Sequence, residues 1–149
     1  MHTEHLQNVR LGRVLAGWLV SIAIASLAML AAIGVTRILR PDAPDIGAVS
    51  SLIAVVVGFW LGGFSTGFRS LQAPILYGIG IGLTSLVAAA GLNAIVSLID
   101  PGVVWDALTP ALTVALLLAQ IAAAVLGALM GYNVALRGKP SLAEHEPID

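Results

Sequence analysis

The chain alternates between long apolar runs and short polar interruptions. No Asp, Glu, Lys or Arg occurs in Val14 to Thr36, Ile46 to Phe68, Ser70 to Ile99 or Ala107 to Leu136. About 20 apolar residues rising roughly 1.5 Å each span a hydrocarbon core of about 30 Å, and each run meets that length. Backbone polar groups in hydrocarbon must be satisfied within the segment, so these runs predict helices despite their Val and Ile content. The pattern predicts an all-α, integral membrane four-helix bundle with spans at about 14–38, 46–68, 74–99 and 107–136. Residues 1–13 form an N-terminal tail, and 137–149 a polar, Pro-punctuated tail expected to be disordered.

Arg10 and Arg13 before the first run also suit a secretory signal peptide. Such a core is about 7 to 15 residues long, whereas this run continues unbroken toward Thr36, so a retained first helix is expected.

The interruptions set the expected winding. Arg40-Pro-Asp-Ala-Pro-Asp45 and Asp100-Pro-Gly-Val-Val-Trp-Asp106 carry helix stops, and Arg69 to Pro74 makes a tight turn with Pro74 in a first helical turn. Short connections imply that sequence neighbours are antiparallel and adjacent. Arg10, Arg13, Arg69, Arg137 and Lys139 fall on one side, against Arg37 and Arg40 on the other. The positive-inside rule makes the first side cytoplasmic, with both termini inside and the plasma (inner) membrane as location. Trp18, Phe68, Tyr77 and Tyr132 then lie near the inner boundary and Trp105 at the outer one, where amphipathic rings prefer to sit; Trp60 lies deeper.

Composition narrows the function. With 149 residues, 58% of them hydrophobic and 10% charged, the chain has too much apolar surface for a soluble domain. A net charge of -1 without a basic face gives no footing for nucleic acid. Cysteine is absent, which removes disulfides and thiolate chemistry.

Because lipid tails are as apolar as leucine, helices in a bilayer associate by close packing, which needs small residues in line. Every span supplies such a line: Gly17, Ser21, Ala25, Ala28 and Ala32; Ser50, Ala54, Gly58 and Gly62; Gly78, Gly82, Ser85 and Ala89; Ala115, Ala119, Ala123, Gly127 and Gly131. Spacings of three and four keep each line on one face. Gly58, Gly62, Gly63, Gly67, Gly78, Gly82, Ala119, Ala123, Gly127 and Gly131 are the candidate packing positions. They suit either oligomerisation or seams within one bundle, and the second is favoured because four helices need several internal seams before any is spare. Polar residues at membrane depth fit the same scheme. Asn93 falls level with Thr113 and Gln120 with Ser85, as candidate hydrogen-bonded pairs worth about 0.6 kcal/mol each or as amides facing a solute.

The second and fourth spans share a weak repeat. Ala54, Gly58 and Gly62 correspond to Ala123, Gly127 and Gly131, with Arg69 or Arg137 following, although the register to the arginine differs by one residue. Chance similarity between Gly- and Ala-rich helices explains this more simply than duplication.

Catalytic motifs find little support. Gly63-Phe-Ser-Thr-Gly67 has the written form of a nucleophile elbow, but His2, His5 and His145 all lie in polar tails and no carboxylate enters a span, so the serine lacks a base. No Gly-Lys-Ser/Thr follows to make a phosphate loop. His2, Glu4 and His5, or Asp42, Asp45, Asp100 and Asp106, match no established metal-ligand spacing. No catalytic residue, cofactor or metal is therefore expected. Arg37 reads as a side chain snorkelling from a helix end. Proton relays and ion-coupled carriers place ionisable groups inside the membrane, and these runs contain none.

The stretch Gly58-Phe-Trp-Leu-Gly-Gly-Phe-Ser-Thr-Gly-Phe-Arg69 followed by Tyr77-Gly-Ile-Gly-Ile-Gly82 resembles small four-span bacterial membrane proteins of unknown function that carry a Gly-Gly-x-x-x-Gly stretch late in the second helix. The resemblance covers roughly half the chain and implies a topology without an activity. The expected function is that of a non-enzymatic membrane protein acting through helix packing, as an oligomer or an accessory subunit. Its partners would be the lipid bilayer and either itself or another membrane protein. The alternative is a small channel or permease for a neutral solute, its path lined by Ser85, Asn93, Thr113 and Gln120.

Overall fold

The structure is a computed structural model and describes residues 9–39, 47–70, 73–99 and 110–138. These form four helices: α1 (Leu11–Leu39), α2 (Gly47–Arg69), α3 (Pro74–Ile99) and α4 (Pro110–Arg137). All four are long and apolar enough to cross a membrane. Among the described residues there is no strand. The helices take in Arg13, Arg37, Arg69 and Arg137, which lie at or beyond the edges of the apolar runs, because a helix continues past the hydrocarbon wherever no stop residue intervenes. At the C-terminal ends of α1, α2 and α4 these arginines also oppose the negative end of the helix dipole. The proposed loop residues Asp42, Asp45, Asp100, Trp105 and Asp106 and both tails lie outside the described residues.

Register follows from which residues face each other. Gly58 meets Ser21 and Ala25 while Gly62 meets Gly17 and Ser21, so α1 and α2 run antiparallel. Gly78 faces Val125 and Gly82 faces Ile121, which makes α3 and α4 antiparallel too. Gly63 faces Ala124 and Gly67 faces Ala128, so α2 and α4 run parallel; Gly17 against Ile81 and Gly80 against Val14 likewise align α1 with α3. The circuit around the bundle is α1, α2, α4, α3, with α2 and α3 meeting only slightly across the diagonal. Here the fold departs from the expected pattern. The short connection joins α2 and α3 as antiparallel helices that are not close neighbours, and the most extensive seam joins α2 to α4. Glycines on both sides of that seam let two backbones approach, a gain that a short connection by itself does not supply.

The core sits in one half of the bundle. Its buried face on α1 is Val14, Gly17, Ser21 and Ala25, joined by Ala54, Phe59, Tyr77, Ile81, Ala123, Ala124 and Ala128 from the other helices. Among the described residues nothing is buried on α1 beyond Ala25, on α2 before Ala54, on α3 beyond Gly82 or on α4 before Ala123. The closed half therefore lies at the end that carries Arg10, Arg13, Arg69 and Arg137. In the other half Leu27, Leu30, Ile38, Val87, Leu98 and Ile99 are exposed, as side chains facing lipid would be. One buried donor, Trp18 Nε1, has no hydrogen-bond partner.

The glycines fall into two kinds that packing explains. A Cβ on Gly34 or Gly91 would meet nothing within 4 Å. Since alanine favours a helix interior over glycine by about 1 kcal/mol, Gly34→Ala and Gly91→Ala are expected to leave the melting temperature unchanged or a few degrees higher in a detergent that holds the chain monomeric. A fall of several degrees in either variant would show that these positions are in contact.

Candidate functional site

The arginine end brings together the polar side chains of the closed half. Tyr77 is wholly buried, and its hydroxyl accepts a hydrogen bond from the backbone N–H of Arg10 at 3.0 Å. The first N–H groups of a helix have no partner within it, so this contact ties the entry of α1 to α3. The same hydroxyl lies beside the side chains of Ser70 and Arg13. Ser70, itself fully buried, accepts from an Arg13 guanidinium N–H at 3.5 Å. Ala73 stands in the left-handed region at φ 51°, and its carbonyl accepts the Tyr77 N–H at 3.1 Å, so the turn itself seats the tyrosine.

Beside this latch, α1 and α2 enclose a groove of about 260 Å³ lined by Arg13, Ala16, Gly17, Val20, Ser65, Thr66 and Arg69. Gly17 allows the approach, since a Cβ there would strike Thr66 Oγ1. Thr66 donates to the Gly62 carbonyl at 3.0 Å and Ser65 to the same carbonyl at 2.9 Å. Among the described residues neither arginine meets a carboxylate, and every Asp and Glu of the chain lies outside them.

The candidate packing glycines divide between seams. Gly58 and Gly62 face α1, Gly63 and Gly67 face the α4 backbone at Ala124 and Ala128, and Gly127 and Gly131 face the α2 backbone at Trp60 and Phe64. Gly78 and Gly82 close the α3–α4 seam. Ala123 is buried, whereas Ala119, one turn toward the open half, is only partly so. Along α2 the rings of Trp60, Phe64 and Phe68 follow one another with centroids 6.4 and 6.2 Å apart. The repeat between the second and fourth spans does not extend to their packing: Gly58 and Gly62 turn toward α1, but Gly127 and Gly131 turn toward α2 and not α3.

The polar residues of the spans mostly bond within their own helices. Ser21, Thr36 and Thr84 donate to the carbonyl four residues earlier at 2.8 to 2.9 Å, which satisfies a hydroxyl without a neighbour. Ser51 reaches across to Met29 Sδ at 3.0 Å. Ser85 and Gln120 are partly exposed and no hydrogen bond joins them; the α3–α4 register places Ser85 near Leu118. The side chains of Asn93 and Thr113 lie outside the described residues, as do His2, Glu4, His5 and His145. Ser65, the would-be nucleophile, spends its proton on the Gly62 carbonyl.

Sequence reasoning placed Arg13, Arg69 and Tyr77 near one boundary without seeing that they share a site with Ser65, Thr66 and Ser70. The available signal was the pair of arginines at corresponding depths on consecutive antiparallel spans. Four apolar helices closed at one end define a fold compatible with a multi-pass integral membrane protein. No family model matches the sequence, and the searches of curated proteins and of solved structures likewise returned no match.

Proposed function

We propose that this chain is a non-enzymatic membrane protein that works through its helix faces, as an oligomer or as an accessory subunit of a membrane complex. The observation that carries the reading is the half-filled bundle. Gly58, Gly62, Gly63 and Gly67, and those at 78, 82, 127 and 131, are engaged within the chain, yet small residues of the open half have no close neighbour among the described residues. On α3 these include Ala89, Ala90 and Gly91, all exposed, and on α1 Gly34, beside which a Cβ would meet nothing. In lipid, a surface of small residues gains most from another helix, because only close backbone approach adds attraction there. The cluster of Arg10, Arg13, Arg69 and Arg137 at one end, against Arg37 at the other, supports cytoplasmic termini in a plasma membrane.

The native chain has no cysteine, so single cysteines report cleanly. Gly91→Cys and Gly34→Cys are expected to cross-link to a second chain or to a copurifying subunit in native membranes, while mass measurement in mild detergent shows a species larger than the monomer. A strictly monomeric mass with no cross-link at either position would overturn the proposal.

A second reading, a path for a neutral solute, draws on the partial exposure of Ser85 and Gln120 just beyond the closed half. Solute flux in proteoliposomes that Gln120→Leu abolishes would be its signature.

A further inference from the structure

The α1–α2 groove brings together two cations that have no carboxylate partner among the described residues. Arg13 donates to the neutral hydroxyl of Ser70 beside Tyr77, so its guanidinium is positioned without a carboxylate partner among the described residues. Arginine carries five N–H donors in a rigid fork, and the bond to Ser70 leaves others free. Arg69, exposed at the end of α2, borders the same groove from the opposite wall. Between them lie the hydroxyls of Ser65 and Thr66, and the remaining lining is the apolar strip Ala16, Gly17 and Val20. The Ser65 and Thr66 protons go to the Gly62 carbonyl, so the donors left to the groove are the two guanidinium forks, and these suit a tetrahedral oxyanion, which arginine recognises in a bidentate manner. The apolar strip runs from that position along α1 toward the open half of the bundle, as an acyl chain attached to the anion would.

We infer that this groove binds a phosphate group, presented either by an anionic lipid headgroup or by a soluble phosphate. The assignment goes beyond the proposed docking role and does not depend on it, since it concerns a site within one chain. Basic pockets between helices at a membrane surface have the charge and shape that such headgroups require.

The test uses the full chain in a neutral detergent, titrated separately with phosphatidylglycerol and with inorganic phosphate. Bound ligand is read by native mass spectrometry and by thermal shift. Saturable binding of one phosphatidylglycerol per chain is expected, weakened by roughly tenfold or more in Arg69→Gln. Arg69→Lys, which keeps the charge but loses the fork, should fall between. Arg137→Gln removes the same charge at the end of α4 and lies outside the groove, so it should bind like the parent chain. Saturation by inorganic phosphate with the same variant pattern assigns the soluble source; saturation by the lipid alone assigns the headgroup. Absence of saturable binding by both probes would overturn the inference. So would an equal loss in Arg137→Gln and Arg69→Gln, because that is diffuse attraction to a basic end. Arg69 is exposed and has no partner among the described residues, so its variants should melt with the parent chain when unliganded. If they do not, Arg13→Gln serves instead, and undiminished binding in that variant counts against the site.

Discussion

Gly127→Leu is expected to lower the melting temperature of the protein in mild detergent by about 10 °C, the equivalent of about 3 kcal/mol of overpacking. Even a Cβ at this position would run into the carbonyl oxygen of Trp60, and it would stand 2.9 Å from the Phe64 nitrogen. Both are backbone atoms, so no rotamer change relieves the clash and the two helices must separate. Separation would not stay local. Gly131 faces Phe64 and Phe68 in the same way, and from the other side Gly63 and Gly67 face Ala124 and Ala128, so one interdigitated stripe is lost together. In hydrocarbon there is little hydrophobic penalty to drive the helices back, because lipid covers an exposed face as well as a neighbour does. Gly127→Ala should show the same direction with a smaller amplitude. A melting temperature for Gly127→Leu within a degree or two of the parent chain would mean that the α2–α4 seam is not tight. Gly12→Ala, where a Cβ would also meet nothing within 4 Å and which lies outside the proposed docking face, is the matched control.

The second large effect is expected at Tyr77. Tyr77→Ala removes the largest fully buried side chain of the bundle and should destabilise it by about 3 to 5 kcal/mol, as other buried aromatic truncations do. Tyr77→Phe separates the ring from the hydroxyl. The ring still fills the site, but the Arg10 N–H loses its acceptor and Ser70 loses a partner, at a cost of about 1 to 3 kcal/mol for buried groups left unsatisfied. Local opening should accompany the loss. Amide hydrogen exchange at Arg10 is expected to speed up in Tyr77→Phe while amides in the middle of α4 keep their protection. Equal exchange at Arg10 in both proteins would mean that the hydroxyl does not hold the start of α1.

These two sites differ in how far the sequence disclosed them. The glycine lines were legible because their spacing of three and four survives any detail of the fold. Which line meets which was not legible, since Gly58 and Gly63 lie on the same helix and face different partners. The Tyr77 latch was legible only as an aromatic residue near a boundary. Its contacts with Arg10, Ser70 and Arg13 join α1, α3 and the turn after α2, and sequence separation hides such contacts. The leveling of Gln120 with Ser85 assumed helices of ideal length counted from their outer ends, and the α3–α4 register offsets it by about two residues.

The amino-acid pattern alone determined that four apolar helices form, because an uncharged run of that length must satisfy its own backbone. The order α1, α2, α4, α3 around the bundle, the filling of one half and the placing of Arg13 and Arg69 on one groove were decided only in three dimensions. In an apolar solvent every hydrophobic face is acceptable to the surroundings. Helices therefore choose neighbours by backbone fit, a property of matched pairs that no single segment carries.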